Sequence, residues 1–274
     1  MLVTNKNWQA DLHKKNYKTL NTSNASGKKS EANEIIKKTS FLGPKYLFLD
    51  GERFRKKFIN FITAKKIKVI KIDDNYKANK IKTWAVINPN VYSKKKYYKK
   101  QNFKIILAGK KYILLRHEFQ KKIKKKNEKR IFISLGVSAV KKLKTNLKNS
   151  LKKLGLEIQI AEKYNSNEMI KAIDNASAVI CGASVTLHEV WARKRTAVPV
   201  YQAKDQARFY KWCKKHFIPV VSSKNKKPFV TARLITLAVK KIIRKKSSHI
   251  PQISPNGADV VINKLFFSPG FHKP

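Results

Sequence analysis

The chain has 274 residues, a formal net charge of +47 and an apolar share of 42%. Apolar residues in that proportion, arriving in short bursts between lysines, exclude wholesale disorder and allow either one large core or two modest ones. The lysines are spread over nearly every segment, with no RNP-like aromatic string, no CxxC pair and no basic region running into heptads, which excludes the dedicated nucleic-acid modules.

The excess of Lys, Asn and Ile is what an A+T-rich genome imposes on solvent-facing positions, so no specific nucleic-acid partner is expected. The charge does predict weak, non-specific association with anionic membrane surfaces or polymers. Cys181 and Cys213 lie far apart without metal-ligand spacing, which suits a reducing cytoplasm. Met1 to Lys15 has no apolar core of signal-peptide length, and no run approaches the roughly 18 to 20 apolar residues that span a bilayer. A cytoplasmic protein is expected.

Residues 1–45 read as a polar leader, poorly ordered over 14–40, where Ser, Asn and Lys dominate without a sustained period. Order begins with a buried strand at Tyr46–Asp50. Phe54, Phe58, Phe61 and Ile62 follow on one helix face, then strands at Ile67–Asp74 and Trp84–Asn90. Strand, helix, strand is the unit of a parallel sheet. Ser93–Lys100 reads as a charged loop bearing tyrosines. The lysine-rich hinge Lys121–Lys129 marks a boundary between an N-terminal α/β domain, 46–126, and a second domain, 127–266, with a tail at 267–274.

After the hinge the alternation is regular. Strands are expected at Arg130–Leu135, Leu156–Ala161, Ala178–Cys181, Ala197–Tyr201 and Ile218–Val221. The helices between them carry Val140 to Leu154, Ser166–Ala176, Thr186–Arg195 and Asp205–Lys215, with further helices at Phe229–Lys246 and Asn256–Phe266. That pattern predicts a doubly wound, Rossmann-like parallel sheet.

In such a sheet ligands sit beyond the C-terminal strand ends, where helix N-termini offer backbone N–H groups to phosphates. Two junctions place Gly and hydroxyl residues there: Ser134 to Ser138 around Gly136, and Cys181 to Thr186 with Gly182, Ser184 and Thr186. Read alone, each is equally a turn former followed by a helix N-cap.

The stretch AVICGASVTLHEVWARKRTAVPVYQAKDQARF, residues 178–209, is more distinctive. It resembles the C-terminal half of the UDP-2,4-diacetamido-2,4,6-trideoxy-β-L-altropyranose hydrolases of pseudaminic acid biosynthesis, relatives of the GT-B glycosyltransferases. Gly182, Ala183, Ser184, Thr186, Glu189, Asp205 and Gln206 stand at that family's motif positions. Weaker similarity extends upstream: Gly109–Phe119 is similar to the family's interdomain segment, Asn88 to Tyr92 to the stretch before it, and Ile131–Leu143, with Gly136 and Ser138, takes the place of a Gly-Gly-Thr-Asp turn. Asn256-Gly257-Ala258 leads into a helix as in many members, and the likeness runs from about Tyr46 to Leu265.

The resemblance implies a GT-B-like α/β fold with a shortened N-terminal half and a UDP-sugar as the bound partner. It also implies hydrolysis at the anomeric carbon with UDP leaving, without metal or organic cofactor. Glu189 would accept hydrogen bonds from a ribose or sugar hydroxyl; its bland alternative is a helix carboxylate paired with Lys194 or Arg193. His188 reads as a polar surface or cap residue. Asn88, Gly136, Ser138, Gly182, Ser184, Thr186, Asp205 and Gln206 would line the substrate.

The family's Gly-x-Gly-His-x-x-Arg turn, which supplies its catalytic histidine, has no counterpart, and His13 matches that site poorly. Glu52 and Glu189 are then the candidate bases. Glu52 stands in Asp50-Gly51-Glu52 where the family has a tyrosine. Asp205 replaces an asparagine and brings negative charge near a diphosphate, and Val137 replaces a glycine after Gly136. Other readings open at this point are a UDP-sugar-binding pseudoenzyme, a glycosyltransferase-like protein, and an anionic-polymer binder with steep salt dependence.

Overall fold

The computed structural model describes residues 2–4, 18–23, 27–123, 130–136, 141–161, 164–245 and 250–267. The chain forms two compact units, Met1–Tyr112 and Ile113–Pro274. The division falls ahead of the 121–129 lysine stretch because residues leading into that stretch are bonded into the second unit: Arg193 donates to the carbonyls of Phe119, Lys121 and Lys122.

In the first unit, β1 (Leu2–Thr4) and β2 (Thr19–Asn21) pair in parallel as a small separate sheet. The helix α1 (Lys29–Thr39) occupies a segment whose composition predicts poor order. Its apolar residues are only Ala32, Ile35 and Ile36, yet the first two are buried with Phe58, Ile59 and Ile62 and Ile36 packs against the same cluster. Buried Glu31 ties the helix start down, 2.9 Å from Arg53 Nη2 and accepting from the Gly27 amide at 2.6 Å. Tertiary partners, not propensity, hold this helix. Residues 5–17, with His13, lie outside the described residues.

Four parallel strands follow, β3 (Tyr46–Leu49), β4 (Lys68–Ile72), β5 (Thr83–Asn88) and β6 (Phe103–Ala108), in the order β3-β4-β5-β6. Between β3 and β4 runs α2 (Lys56–Ala64), which buries Phe58, Ile59 and Ile62; Phe54 precedes it and its ring lies 4.9 Å from that of Phe58, while Phe61 is only half-buried. Apolar on both faces, β5 sits inside the sheet. By contrast β6 alternates buried Phe103, Ile105 and Leu107 with outward Lys104, an edge pattern that the flanking lysines hide in the sequence. Strand order never reverses here, so this sheet has no topological switch point.

The second unit contains β7 (Arg130–Ser134), α3 (Lys141–Lys152), β8 (Glu157–Ile160), α4 (Ser166–Asp174), β9 (Ala178–Gly182), α5 (Val185–Ala192), β10 (Thr196–Tyr201), α6 (Ala207–Lys215), β11 (Val221–Ser222), α7 (Pro228–Lys245) and α8 (Gly257–Phe266). Its parallel sheet has the order β11-β10-β9-β7-β8. One face is covered by α3 and α7, whose Leu143, Leu147, Leu151, Ala232, Ile235 and Val239 pack on Ile131, Ile133, Ile180, Val198 and Val200. By the right-handed crossover rule the connections to β9, β10 and β11 carry α4, α5 and α6, none of which contributes to that core, over the other face. Asn165 starts α4 with a capping box, accepting from the amides of Asn167 and Glu168 while the Glu168 carboxylate accepts from the Asn165 amide. The doubly wound architecture agrees with the alternation of the sequence.

Candidate functional site

The strand order of the second unit reverses between β7 and β9, which are hydrogen-bonded neighbours with Ser134 registered opposite Cys181. At such a reversal the chain leaves one strand toward one face and the adjacent strand toward the other, opening a crevice at the C-terminal rim. Both Gly/Ser junctions identified in the sequence start from this pair of strands. After β7, Gly136 adopts φ +72°, a left-handed conformation that suits glycine, and a Cβ placed there would meet nothing within 4 Å. Beside it opens a groove of about 1110 Å³, lined by Ser134, Gly136, Lys141, Lys144, Lys148 and Tyr164 among others. Ser138 lies outside the described residues.

After β9, the turn Gly182-Ala183-Ser184 leads into α5. Ser184 is the N-cap residue with extended backbone, but its hydroxyl makes no capping bond to the helix. A Cβ on Gly182 would lie 3.5 Å from Ser184 Oγ, 3.5 Å from Gln202 Oε1 and 3.7 Å from Gln206 Nε2, so three polar groups converge over this glycine. Gln206 is oriented by the Gln202 amide, which donates to its Oε1 at 2.8 Å. Thr186 is half-buried in the first turn of α5, and Asp205 is exposed in the 3₁₀ turn that precedes α6.

Glu189, one turn further along α5, is buried and accepts a charge-assisted hydrogen bond from Arg116 Nη2 at 2.7 Å. The other terminal nitrogen of Arg116 donates to Ser166 Oγ at 2.9 Å, and the guanidinium lies over the Phe119 ring. The paired alternative anticipated for Glu189 is thus real but with a different partner: Arg193 instead forms a fully buried pair with Asp174, at 2.6 and 2.8 Å. His188 is not a surface or cap residue. It is buried, its ring 5.0 Å from that of Phe209, and burial pushes its pKa down to about 3, leaving a neutral imidazole in the core.

The other two expected site residues belong to the first unit. Glu52 is exposed, paired with Lys77 Nζ and accepting from Asn75 Nδ2 at 3.1 Å; the Lys77 contact first, then Asn75, holds its pKa below the usual carboxylate value. Asn88 is fully buried, donating to Tyr98 Oη at 2.9 Å and accepting from Asn90 Nδ2 at 3.0 Å, so its amide organises the end of β5. Near Glu52 lies a pocket of about 360 Å³ whose lining includes Asp50, Lys71, Asp73 and Asp74. Burial lowers the pKa of Lys71 and raises that of Asp74.

The rim of the second unit therefore gathers Gly182, Ser184 and Gln206, with Gly136 leaving the neighbouring strand and Glu189 on the helix that follows Ser184. Sequence reasoning passed over Gln202 and Arg116. Arg116 carried a usable signal: the chain has only nine arginines against a very large excess of lysine. An arginine kept in such a background marks a place where a planar fork is needed.

No family model matches the sequence, and no curated protein matches it. Solved structures do share its fold. MurG of Acinetobacter baumannii superposes with a TM-score of 0.61 at 15% identity, covering 96% of this chain and 89% of that one. UDP-GlcNAc 2-epimerase of Neisseria meningitidis, bound to UDP-GlcNAc, gives 0.59 at 9% identity over 97% and 90%. An Arabidopsis thaliana UGT complexed with UDP-L-rhamnose gives 0.55 at 10% identity over 96% and 90%. The fold is α/β and GT-B-like.

Proposed function

We propose that this protein is a UDP-sugar-dependent enzyme of the GT-B kind whose second unit holds the nucleotide diphosphate at the β7/β9 reversal. The observation that carries the reading is the convergence of Ser184, Gln202 and Gln206 over Gly182, beside the open Gly136 turn on the adjacent strand. Such a rim offers small residues for close approach, amide and hydroxyl donors for phosphate oxygens, and lysines at 141, 144 and 148 for its charge. Glu189 is the acceptor-only group suited to a pentose hydroxyl. Neighbours solved with UDP-L-rhamnose and UDP-GlcNAc support the ligand class.

The reaction is displacement at the anomeric carbon with UDP leaving. Water is the acceptor in the hydrolase reading that the resemblance of residues 178–209 implies. An acceptor hydroxyl replaces it in the transferase reading, which rests on the neighbours MurG and spinosyn forosaminyltransferase. A non-catalytic binding role is favoured by one further observation: Glu52 and Glu189, the expected bases, are each engaged by a cation.

One experiment separates these readings. UDP and UDP-GlcNAc are titrated by thermal shift and calorimetry, and UDP release from UDP-sugars is followed with and without glycosyl acceptors. Release in water alone identifies a hydrolase, release only with an acceptor a transferase, and saturable binding without release a binding protein. Failure of UDP to bind at low salt would falsify the proposal.

A further inference from the structure

The helix α7 is anchored by one face: Thr231, Ala232, Ile235, Thr236 and Val239 are buried. Its outer face is unusual for a solvated helix. Phe229 is 67% exposed, Val230 42%, Leu234 37% and Leu237 52%. At 100° per residue these four fall within about 140° of arc, forming one apolar patch. Arg233 lies among them, and Lys240, Lys241 and Arg244 continue the same exposed face toward the C-terminal end.

The charge around this patch has one sign. Neither α7 nor α3, which packs beside it on the same sheet face, contains an aspartate or glutamate. On the opposite layer α4 carries Glu168, while α6 is likewise free of acidic residues and Asp174 and Glu189 are buried in ion pairs. What singles out the α7 face is the apolar strip between its cations, since an excess of lysine produces no exposed phenylalanine and leucines.

We propose that the outer face of α7 docks on an anionic phospholipid bilayer, its Phe229, Leu234 and Leu237 side chains entering the headgroup boundary and its cations meeting lipid phosphates. An apolar strip flanked by lysine and arginine is the pattern of helices that lie in a membrane interface. Among the described residues no helix is long and apolar enough to cross a membrane, so the contact is interfacial. A second copy of the chain is a poor occupant, because it brings the same cations against Arg233, Lys240 and Lys241. Nucleic acid matches the charge and leaves the apolar side chains without a role. This inference is independent of what the β7/β9 rim binds.

The test is co-sedimentation of the full chain with vesicles of phosphatidylcholine containing phosphatidylglycerol, against phosphatidylcholine alone. Binding is expected only to the anionic vesicles. A Phe229→Ser/Leu237→Ser variant, identical in charge, is expected to lose about tenfold or more in partitioning. A separate Phe229→Trp variant is expected to shift its added emission to shorter wavelength on the anionic vesicles. Undiminished partitioning of the serine variant would assign the binding to diffuse lysine charge and overturn the proposal. An unshifted tryptophan, or a concentration-dependent dimer that the serine variant abolishes, would overturn it equally.

Discussion

Arg116 and Glu189 lie 73 positions apart in sequence and meet at 2.7 Å, so the segment that opens the second unit holds the carboxylate presented by α5. Glu189 is buried, whereas Arg116 is about two-fifths exposed. The pair is therefore worth less than a fully desolvated one. In the proposed complex Arg116 fixes the carboxylate's orientation before a ligand arrives, which is preorganisation in the ordinary sense.

Arg116→Ala is expected to cost about 1–2 kcal/mol of stability, between the values for surface and buried pairs. The same variant is expected to weaken UDP binding by about tenfold, since Glu189 loses its orienting partner. Calorimetry on Arg116→Ala, Glu189→Ala and the double variant checks this. The double variant is expected to be no weaker than the worse single one, and simple additivity would show that the two residues act separately.

Removing Asp174 or Arg193 is expected to be far more damaging. Their pair is fully buried, and Arg193 also satisfies the carbonyls of Phe119, Lys121 and Lys122. Asp174→Asn and Arg193→Met are each expected to lose about 3–5 kcal/mol in urea unfolding. Arg193→Lys is expected to rescue little, because an ammonium cannot span a carboxylate and three carbonyls.

Gly257→Ala tests a close approach within the second unit. A Cβ there would lie 2.1 Å from the Ile113 carbonyl oxygen, and 2.9 and 3.0 Å from its carbon and nitrogen. Those are backbone atoms, so relief requires moving the start of α8 or the segment at Ile113. A loss of at least about 2 kcal/mol is expected, measured as a fall in urea midpoint.

His188 gives stability a pH dependence. Its folded pKa of about 3 lies below the ordinary histidine value of 6.5, so between those values the unfolded chain binds the extra proton. Its contribution is complete above about pH 6.5 and is lost as pH falls toward 3, at up to about 1.4 kcal/mol per pH unit. Urea midpoints measured between pH 4 and 7 are expected to slope less in His188→Phe than in the parent chain. Equal slopes would show that other groups dominate the acid limb.

How much was legible depended on how local the cause was. Strands β7, β9 and β10 announce themselves as apolar runs because parallel strands are buried on both faces. The strand β6 was missed because its lysine-flanked six residues alternate as an edge strand does, and α1 because three apolar residues and a buried glutamate look like a polar leader. At the site, Gly182, Ser184 and Gln206 could be named from one motif, their spacing being set by two neighbouring strands and the helix between them. Arg116 could not, since its role exists only through a residue 73 positions away.

By itself the order of residues determined the alternation of strands and helices, the doubly wound second unit and the turns that bear small and hydroxyl side chains, all consequences of period and turn chemistry within a few neighbours. Only the tertiary structure decided that Glu189 is clasped by Arg116, that His188 is sealed in the core, that Asn88 is spent on Tyr98 and Asn90, and that Phe229, Val230, Leu234 and Leu237 of α7 face outward. Those outcomes depend on which distant segments compete for the same space and the same hydrogen bonds.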